Sequence, residues 1–458
     1  MPNISLCAFY PLRYFHGMHK EIVIINAKLF APDTPEGFAA DGFVEIGAGR
    51  ITALGPMAHY VPSQSACLLD AGGSLVMPGL VNGHNHAAMT LFRGMADDLP
   101  LMTWLEQHIF PAEARFVTPE MVYWCTRLAA AEMIMSGTTT VADAYFYEDE
   151  AARALVETGM RAVAAQGVID FPAPGVPDPS ENVATAARFV ERWQGNELLT
   201  PAVFAHSPYT CSSRTLMRAK ELARERNVPF FIHLAETRAE RALLGEKWHG
   251  SPTTYLHSLD LLDGQTVCIH AVWLDRHDIS LIAASGAAVV TCPQSNMKLA
   301  TGAAPVAELL SAGVRVGLGT DGCASNNDLD LFGEMDTCAK LHKVRSLDPA
   351  AVKARDVLRM ATVTGARLLG FADGGTLAVG MPADVIIVDL DQPHLTPFYS
   401  VDNLVYAAGG ADVKSVIING RLVMQDRKIL TFDVAETMEM VARMAAEIKK
   451  DSISALMI

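Results

Sequence analysis

The sequence lacks long apolar runs and any excess of positive charge. No apolar stretch reaches the roughly 18 residues that a membrane-spanning helix needs, so we expect no membrane segment. The 458 residues carry a formal net charge of −15 at pH 7. Such an acidic chain repels phosphate backbones, which argues against nucleic acid as a partner. A neutral or cationic small molecule suits this surface better.

Clustered cysteines are also missing. The eight cysteines are scattered and form no CxxC pair, whereas a zinc knuckle needs grouped thiolates. We therefore expect buried free thiols and predict a cytoplasmic protein. Residues 1–17 contain neither the continuous apolar core nor the cleavage site of a signal peptide, and we predict a disordered extension there.

The two ends of the chain share one pattern. Residues 18–73 and 372–432 consist of short apolar stretches separated by glycine-rich turns, which predicts antiparallel β-structure, and Asn419-Gly420 indicates a hairpin. Because each flank alone is small for a stable domain, we predict a composite β-sandwich domain built from both. An amphipathic helix is predicted over 433–458.

Residues 74–371 alternate apolar strands with helical stretches. Most of the strands are continuously apolar, as is typical of strands covered on both faces. Eight are expected: LVMPGLVNGH, TTTVADAYF, RAVAAQGVID, TPAVFAHSP, PFFIHLAE, TVCIHAVWL, AAVVTCPQS and VRVGLGTDG. Their number and alternation predict a (β/α)8 TIM-type barrel.

Polar residues mark the ends of these strands, where chemistry sits in such barrels. His84 and His86 lie at i and i+2 on an extended strand, so they point to the same side and can reach one ion. His233 and Asp321 complete three nitrogens and one oxygen, a set that suits Zn²⁺ or Fe²⁺. The residues therefore predict a metal-dependent hydrolase. A lone histidine at a strand end, such as His206 or His270, is more often a hydrogen-bonded core residue.

These residues resemble the amidohydrolase superfamily in its single-metal form. Longer segments are similar to the methylthioadenosine/S-adenosylhomocysteine deaminase family, over nearly the whole chain from about Met18. The segments are PGLVNGHNHAAMTLFRGMADDLPLMTWLEQHIFPAE, AHSPYT, IHLAET, SNMKLA and GTDGCASNNDLDLF. Two-metal members usually bridge their ions with a lysine at the end of strand 4, and VFAHSPY has none.

The resemblance implies hydrolytic deamination of an adenosine-type nucleoside, giving the inosine analogue and ammonia. The substrate would be 5′-methylthioadenosine, or S-adenosylhomocysteine, 5′-deoxyadenosine or adenosine. One divalent metal, Zn²⁺ or else Fe²⁺, would be the cofactor, and a homo-oligomer is compatible with the apolar helix surfaces. The implied metal ligands are His84, His86, His233 and Asp321.

The resemblance also implies roles around the metal. Glu236 would shuttle a proton, His270 would orient the attacking water and the developing oxyanion, and Asp321 would pass a proton to the leaving amine. Trp104 would form an apolar wall, and Glu113 would accept hydrogen bonds from ribose hydroxyls. Contact with the substrate is also implied for Glu236, Asp321 and His206. Residues at the pocket rim, or supporting it, would be Ser325, Asn296 and Asn326.

One segment departs from the family pattern. A substrate with a carboxylate tail favours a guanidinium near the loop after strand 3. The segment there, AAQGVIDFPAPGVPDPSEN, contains no arginine, and the next arginine along the chain is Arg188. This favours substrates without a carboxylate, although Arg93 or Arg115 could serve instead. Guanine-type, pterin and chlorotriazine hydrolases on the same scaffold remain alternatives. A non-catalytic scaffold protein is a further one, although such relatives typically lose ligands that are all present here.

Overall fold

The computed structural model describes residues 21–32, 38–62, 66–245 and 248–456, so the extension predicted over 1–17 lies outside the described residues. The described strands are β1 (Ile22–Phe30), β2 (Phe38–Gly47), β3 (Arg50–Pro56), β4 (Cys67–Asp70), β5 (Leu75–Pro78), β6 (Leu80–Asn85), β7 (Thr138–Tyr145), β8 (Arg161–Val168), β9 (Leu199–Ala205), β10 (Phe230–Leu234), β11 (Thr266–His270), β12 (Ala288–Thr291), β13 (Arg315–Leu318), β14 (Val385–Val388), β15 (Val413–Ile418), β16 (Arg421–Gln425) and β17 (Lys428–Ile429).

Helices follow most of the strands in the middle of the chain. The described α-helices are α1 (Leu101–Trp104), α2 (Phe110–Phe116), α3 (Pro119–Met135), α4 (Glu148–Thr158), α5 (Asn182–Trp193), α6 (Ser213–Arg226), α7 (Ala239–Leu244), α8 (Pro252–Ser258), α9 (Arg276–Ser285), α10 (Pro293–Lys298), α11 (Val306–Ser311), α12 (Leu331–Ser346), α13 (Ala354–Met360), α14 (Val363–Leu368), α15 (Asn403–Tyr406) and α16 (Val434–Leu456). A π-helical turn, Leu105–Ile109, joins α1 to α2.

Strands β6 to β13 form one parallel sheet in chain order, with an apolar cluster inside it. Its two outer strands meet, because the Asn82 side chain donates a 2.7 Å hydrogen bond to Thr320 Oγ1 and the Asp321 N–H donates to the His84 carbonyl at 3.0 Å. A Cβ at Gly319 would lie 2.8 Å from the backbone nitrogen of His84, so glycine permits this approach. The predicted (β/α)8 barrel is confirmed.

The segment LVMPGLVNGH is two strands rather than one. β5 belongs to the second sheet and β6 opens the barrel, with the break at Gly79. A Cβ at Gly79 would lie 2.1 Å from Thr139 Cγ2, so only glycine fits where the chain passes between the sheets. Continuous apolarity cannot reveal this break, because both strands are fully buried.

The second sheet is mixed, and its nine strands within the described ranges come from both ends of the chain. Its central pairing is antiparallel, between β5 and β14. Asn419 and Gly420 take φ values of 49° and 71° between β15 and β16, which agrees with the predicted hairpin. The composite β-domain is therefore confirmed, whereas the residue boundaries of the domains stay a prediction.

Cysteine placement agrees with the sequence in part. Six cysteines of the described part of the chain are free and buried: Cys125, Cys211, Cys268, Cys292, Cys323 and Cys338. Cys67 is disulfide-bonded, so the expectation of free thiols throughout was wrong. Within the described ranges, no helix has the length and apolarity needed to cross a membrane.

Candidate metal centre and active site

Four histidines meet at the C-terminal end of the barrel. His84 lies on β6, His233 on β10 and His270 at the end of β11, and His86 follows β6 directly. The Nε2 atoms of His84 and His233 are 3.3 Å apart, and the ring centroids of His84 and His86 are 4.6 Å apart. The strand ends thus bring imidazoles from three strands close together.

Asp321 joins the histidines from the loop after β13. Its Oδ1 lies 3.5 Å from the Nε2 atoms of both His84 and His86. The ligand atoms of these three residues lie within 4.8 Å of one another, and so do those of His84, His233 and His270. The two overlapping triads form a compact donor set, and His270 lies near enough to be a ligand itself.

The electrostatics of this cluster suit a cation. Burial lowers the pKa of His84, and it lowers the pKa of His233 well below the usual range. Although burial alone would raise the pKa of Asp321, the hydrogen bond and charge of neighbouring histidines hold it well below its usual value. Neutral imidazoles beside an ionised carboxylate are the forms that bind a divalent metal, so the residues fit the predicted cofactor.

Neighbouring groups fix the orientation of the candidate metal ligands. His86 Nδ1 lies 2.6 Å from the Ala144 carbonyl, so it donates there and leaves Nε2 toward the cluster. Asp321 Oδ2 accepts hydrogen bonds from the hydroxyls of Ser295 at 2.7 Å and Ser325 at 2.8 Å. Ser295 was not foreseen from the sequence, because it lies in α10 and carries no strand-end signal.

Glu236 and His270 face each other beside the cluster. Glu236 Oε2 lies 3.8 Å from His270 Nε2, and burial followed by the charge of Asp321 raises the pKa of Glu236 well above its usual range. The Asn296 amide donates to His270 Nδ1 at 3.2 Å, which leaves the Nε2 proton of His270 available toward Glu236.

Positive φ values at His270 (70°) and Asp321 (62°) place strained backbone at this point.

A cavity of about 510 Å³ opens beside these groups, a volume within the usual range for small-molecule sites. It is lined by predicted site residues: His86, Trp104, Glu113, His206, His233, Glu236, His270, Asp321 and Ser325. His84 lies behind them, 2% exposed. Asn326 does not line the cavity, and its amide instead bonds the Thr320 carbonyl and Glu334.

The segment from α1 through the π-helical turn to α2 forms one wall of the cavity. Trp104 is 5% exposed, and its Nε1 has no hydrogen-bond partner among the described residues. On α2, Glu113 Oε1 accepts a 2.6 Å hydrogen bond from the Tyr145 hydroxyl. Burial raises the pKa of Glu113 to about 7, despite that bond. Tyr145 is another contact that strand-end reasoning missed.

The remaining walls carry little positive charge. Among the described residues that line the cavity there is no lysine and no arginine. The loop after β8 contributes Phe171, Pro172, Ala173 and Pro174 to the wall. Arg93 is paired with Glu132, and the guanidinium of Arg115 lies 5.1 Å from the centroid of the Phe116 ring; neither lines the cavity.

Comparison with known proteins shows the family to which this chain belongs. A model described as the amidohydrolase family matches residues 75–423, so the chain belongs to the amidohydrolase family and is a hydrolase. The chain is 49% identical over 433 residues to the 5-methylthioadenosine/S-adenosylhomocysteine deaminase of Syntrophobacter fumaroxidans, covering 94% of this chain and 98% of that one. The resemblance predicted from the sequence motifs is confirmed.

Three further comparisons concern one relative and two solved structures. The chain is 44% identical to the 5′-deoxyadenosine deaminase of Methanosarcina mazei, covering 93% of this chain and 98% of the relative. An adenosine deaminase from Xanthomonas campestris with bound zinc superposes with a TM-score of 0.91 at 37% identity, covering 94% and 98% of the two chains. A triazine hydrolase superposes at 0.86 but is only 22% identical, which shows the fold alone.

Proposed function

We propose that this protein is an aminohydrolase that deaminates an adenosine-type nucleoside with the help of one divalent metal ion. The observation that carries the proposal is that one cavity is lined both by residues of the His/Asp cluster, which could hold a metal ion, and by the buried carboxyl group of Glu113. The cluster residues suit a hydrolytic reaction, and the Glu113 carboxyl group suits hydrogen bonding to the hydroxyls of a ribose. The names of the full-length relatives point in the same direction.

In this proposal His84, His86, His233 and Asp321 hold the ion. Zinc is the first choice, because three imidazoles and one carboxylate suit it and the Xanthomonas campestris structure contains it. When bound, the ion supplies Lewis-acid activation of water. The other chemical steps belong to side chains of the protein.

Glu236 moves the proton. Its carboxyl group takes a proton from the attacking water and delivers it to N1 of the purine, so that the ring accepts electron density as C6 is attacked. The raised pKa of Glu236 helps it to hold that proton. His270 donates a hydrogen bond to the oxygen at C6, and Asp321 passes the remaining proton to the departing amine. Ammonia and the inosine analogue are the products.

Glu113 selects nucleosides over free bases. Because Tyr145 occupies its Oε1, its Oε2 is left for the ribose hydroxyls. Trp104 packs against the nucleoside as a wall, and His206 lies beside the substrate, held by a 2.9 Å contact between its Nδ1 and Thr210 Oγ1.

The substituent at the 5′ position is small or uncharged in this proposal. The cavity wall after β8 is apolar, and no lysine or arginine of the described chain lines the cavity. A carboxylate there would lose hydration without gaining a guanidinium partner. Methylthioadenosine, 5′-deoxyadenosine and adenosine are therefore preferred over S-adenosylhomocysteine.

The test is ammonia release by the zinc-loaded protein from methylthioadenosine, S-adenosylhomocysteine, adenosine, adenine and guanine, assayed side by side. We expect turnover of methylthioadenosine and adenosine, and none of adenine. Glu236→Gln should keep its metal and lose roughly 10²–10⁴-fold in kcat. Turnover of guanine alone would establish a free-base deaminase, and turnover of none of the five would overturn the proposal.

A further inference from the structure

The loop between β10 and α7 is tied to a single buried carboxylate. This loop carries Glu236, and Glu240 at the start of α7 folds back beneath it, only 3% exposed. Oε2 of Glu240 accepts the Ala235 N–H at 2.8 Å, and Oε1 accepts the N–H groups of Glu236 and Thr237. Three consecutive backbone donors therefore converge on one side chain.

The backbone of this loop needs that support. Ala235 has a φ of 51°, a left-handed conformation that is strained for a residue with a Cβ. The Ala235 carbonyl in turn accepts the N–H groups of Val272 at 3.1 Å and Trp273 at 2.8 Å, just beyond His270. The loop with Glu236 and the strand end with His270 are thus linked through one residue.

We propose that Glu240 is a positioning residue that holds the Glu236 carboxyl group beside His270, at the 3.8 Å distance between Glu236 Oε2 and His270 Nε2. It does so through the backbone and touches neither substrate nor metal. The carboxylate geometry suits this task better than an amide, because the two oxygens accept from three donors. A glutamine amide would turn its own N–H toward a backbone N–H. This inference rests on the role proposed above for Glu236.

The experiment is a double-mutant cycle measured on the full-length zinc-loaded protein with methylthioadenosine. Glu240→Gln is made in the wild type and in the Glu236→Gln background, and kcat, KM and bound zinc are measured for each. We expect Glu240→Gln alone to lower kcat roughly tenfold to a hundredfold while KM stays within about threefold and zinc stays bound. In the Glu236→Gln background the same change should lower kcat less than about twofold.

Two further variants complete the design. Glu240→Asp keeps a carboxylate and should recover part of the lost kcat, and it also serves if Glu240→Gln does not fold. Glu221→Gln, on the exposed face of α6, is the matched control and should behave like the wild type.

The outcomes separate the two proposals. Equal loss of kcat from Glu240→Gln in both backgrounds, or a fall in melting temperature with unchanged kcat, would overturn the positioning role. A wild-type protein that releases no ammonia from any nucleoside would instead overturn the proposed function. A fully active Glu236→Gln protein would overturn the role of Glu236 on which this inference rests.

Discussion

The Tyr145 hydroxyl donates a 2.6 Å hydrogen bond to Oε1 of Glu113, linking the end of the second barrel strand to the helical wall of the cavity. The bond lowers the pKa of a carboxyl group whose burial raises it. It also fixes the rotation of that carboxyl group, so one oxygen is committed to Tyr145.

Removing this bond should weaken nucleoside binding. We expect Tyr145→Phe to raise KM for methylthioadenosine about threefold to tenfold, with a smaller change in kcat, because Glu113 loses its fixed orientation. Steady-state kinetics at pH 7 are the measurement. Tyr123→Phe, which removes a hydroxyl bonded to Glu157 outside the cavity, is the control. A larger effect on kcat than on KM would contradict this account.

Metal removal should lower both activity and stability. Dialysis against a chelator should abolish ammonia release and reduce the melting temperature by about 5 °C or more, since bound metal stabilises only the folded state. One equivalent of zinc per chain should restore both quantities. Full activity of a chain with no measurable metal would rule out the metal-dependent mechanism.

The close approach at Gly319 provides a test of barrel closure. An alanine there would push against the His84 backbone, so we expect Gly319→Ala to reduce zinc content and to cost about 1–3 kcal/mol in the free energy of unfolding. Zinc analysis and urea denaturation are the measurements. Gly264→Ala is the matched control, because a Cβ there meets no atom within 4 Å. Similar behaviour of the two variants would show that the contact is unimportant.

His342 on α12 should make stability depend on pH. Burial, and then the charge of Arg345, lowers its pKa from 6.5 to about 4 in the folded protein. Between those values the unfolded chain binds more protons, so stability is lost as the pH falls from about 6.5 to about 4. In His342→Gln the drop in melting temperature over that range should be smaller by about 3 °C. His277→Gln, an exposed site on α9, should match the wild type.

Specificity for the 5′ substituent should depend on the wall after β8. The wild type should turn over S-adenosylhomocysteine with a kcat/KM at least about tenfold below that of methylthioadenosine. Phe171→Arg would offer the carboxylate a guanidinium and should shift the ratio toward S-adenosylhomocysteine by roughly tenfold. Phe171→Leu is the control and should leave the ratio as it is. Equal kcat/KM values for both substrates in the wild type would refute the prediction.

Much of the candidate site was predictable because strand ends obey simple rules. An HxH pair at the end of one strand, a histidine on the fifth strand and an aspartate after the eighth must converge if the barrel closes, and the structure brings them together. The cavity wall formed by α1, the π-helical turn and α2, which carries Trp104 and Glu113, was assigned only by resemblance. Nothing in its periodicity places that segment over the cavity.

The contacts that the sequence did not reveal are those made to the backbone or between side chains on elements whose proximity only the fold determines. Glu240 acts on peptide N–H groups, Ser295 reaches Asp321 from a short helix, and Tyr145 bonds a helix distant in sequence. None follows from residue type or spacing alone. The break at Gly79 was missed for a related reason, because its cause is a contact with Thr139 on another strand.

The pairing of β5 with β14 also constrains biosynthesis. The two strands are separated by nearly the whole barrel, so at about 5–20 residues per second the first waits some tens of seconds on the ribosome for its partner. During that interval β5 exposes an unpaired hydrogen-bonding edge, which can pair with another chain and so promotes aggregation. The barrel strands are all synthesised before β14, so the barrel can fold during this interval. The N-terminal strands, although they are synthesised first, are then among the last to reach their final pairing.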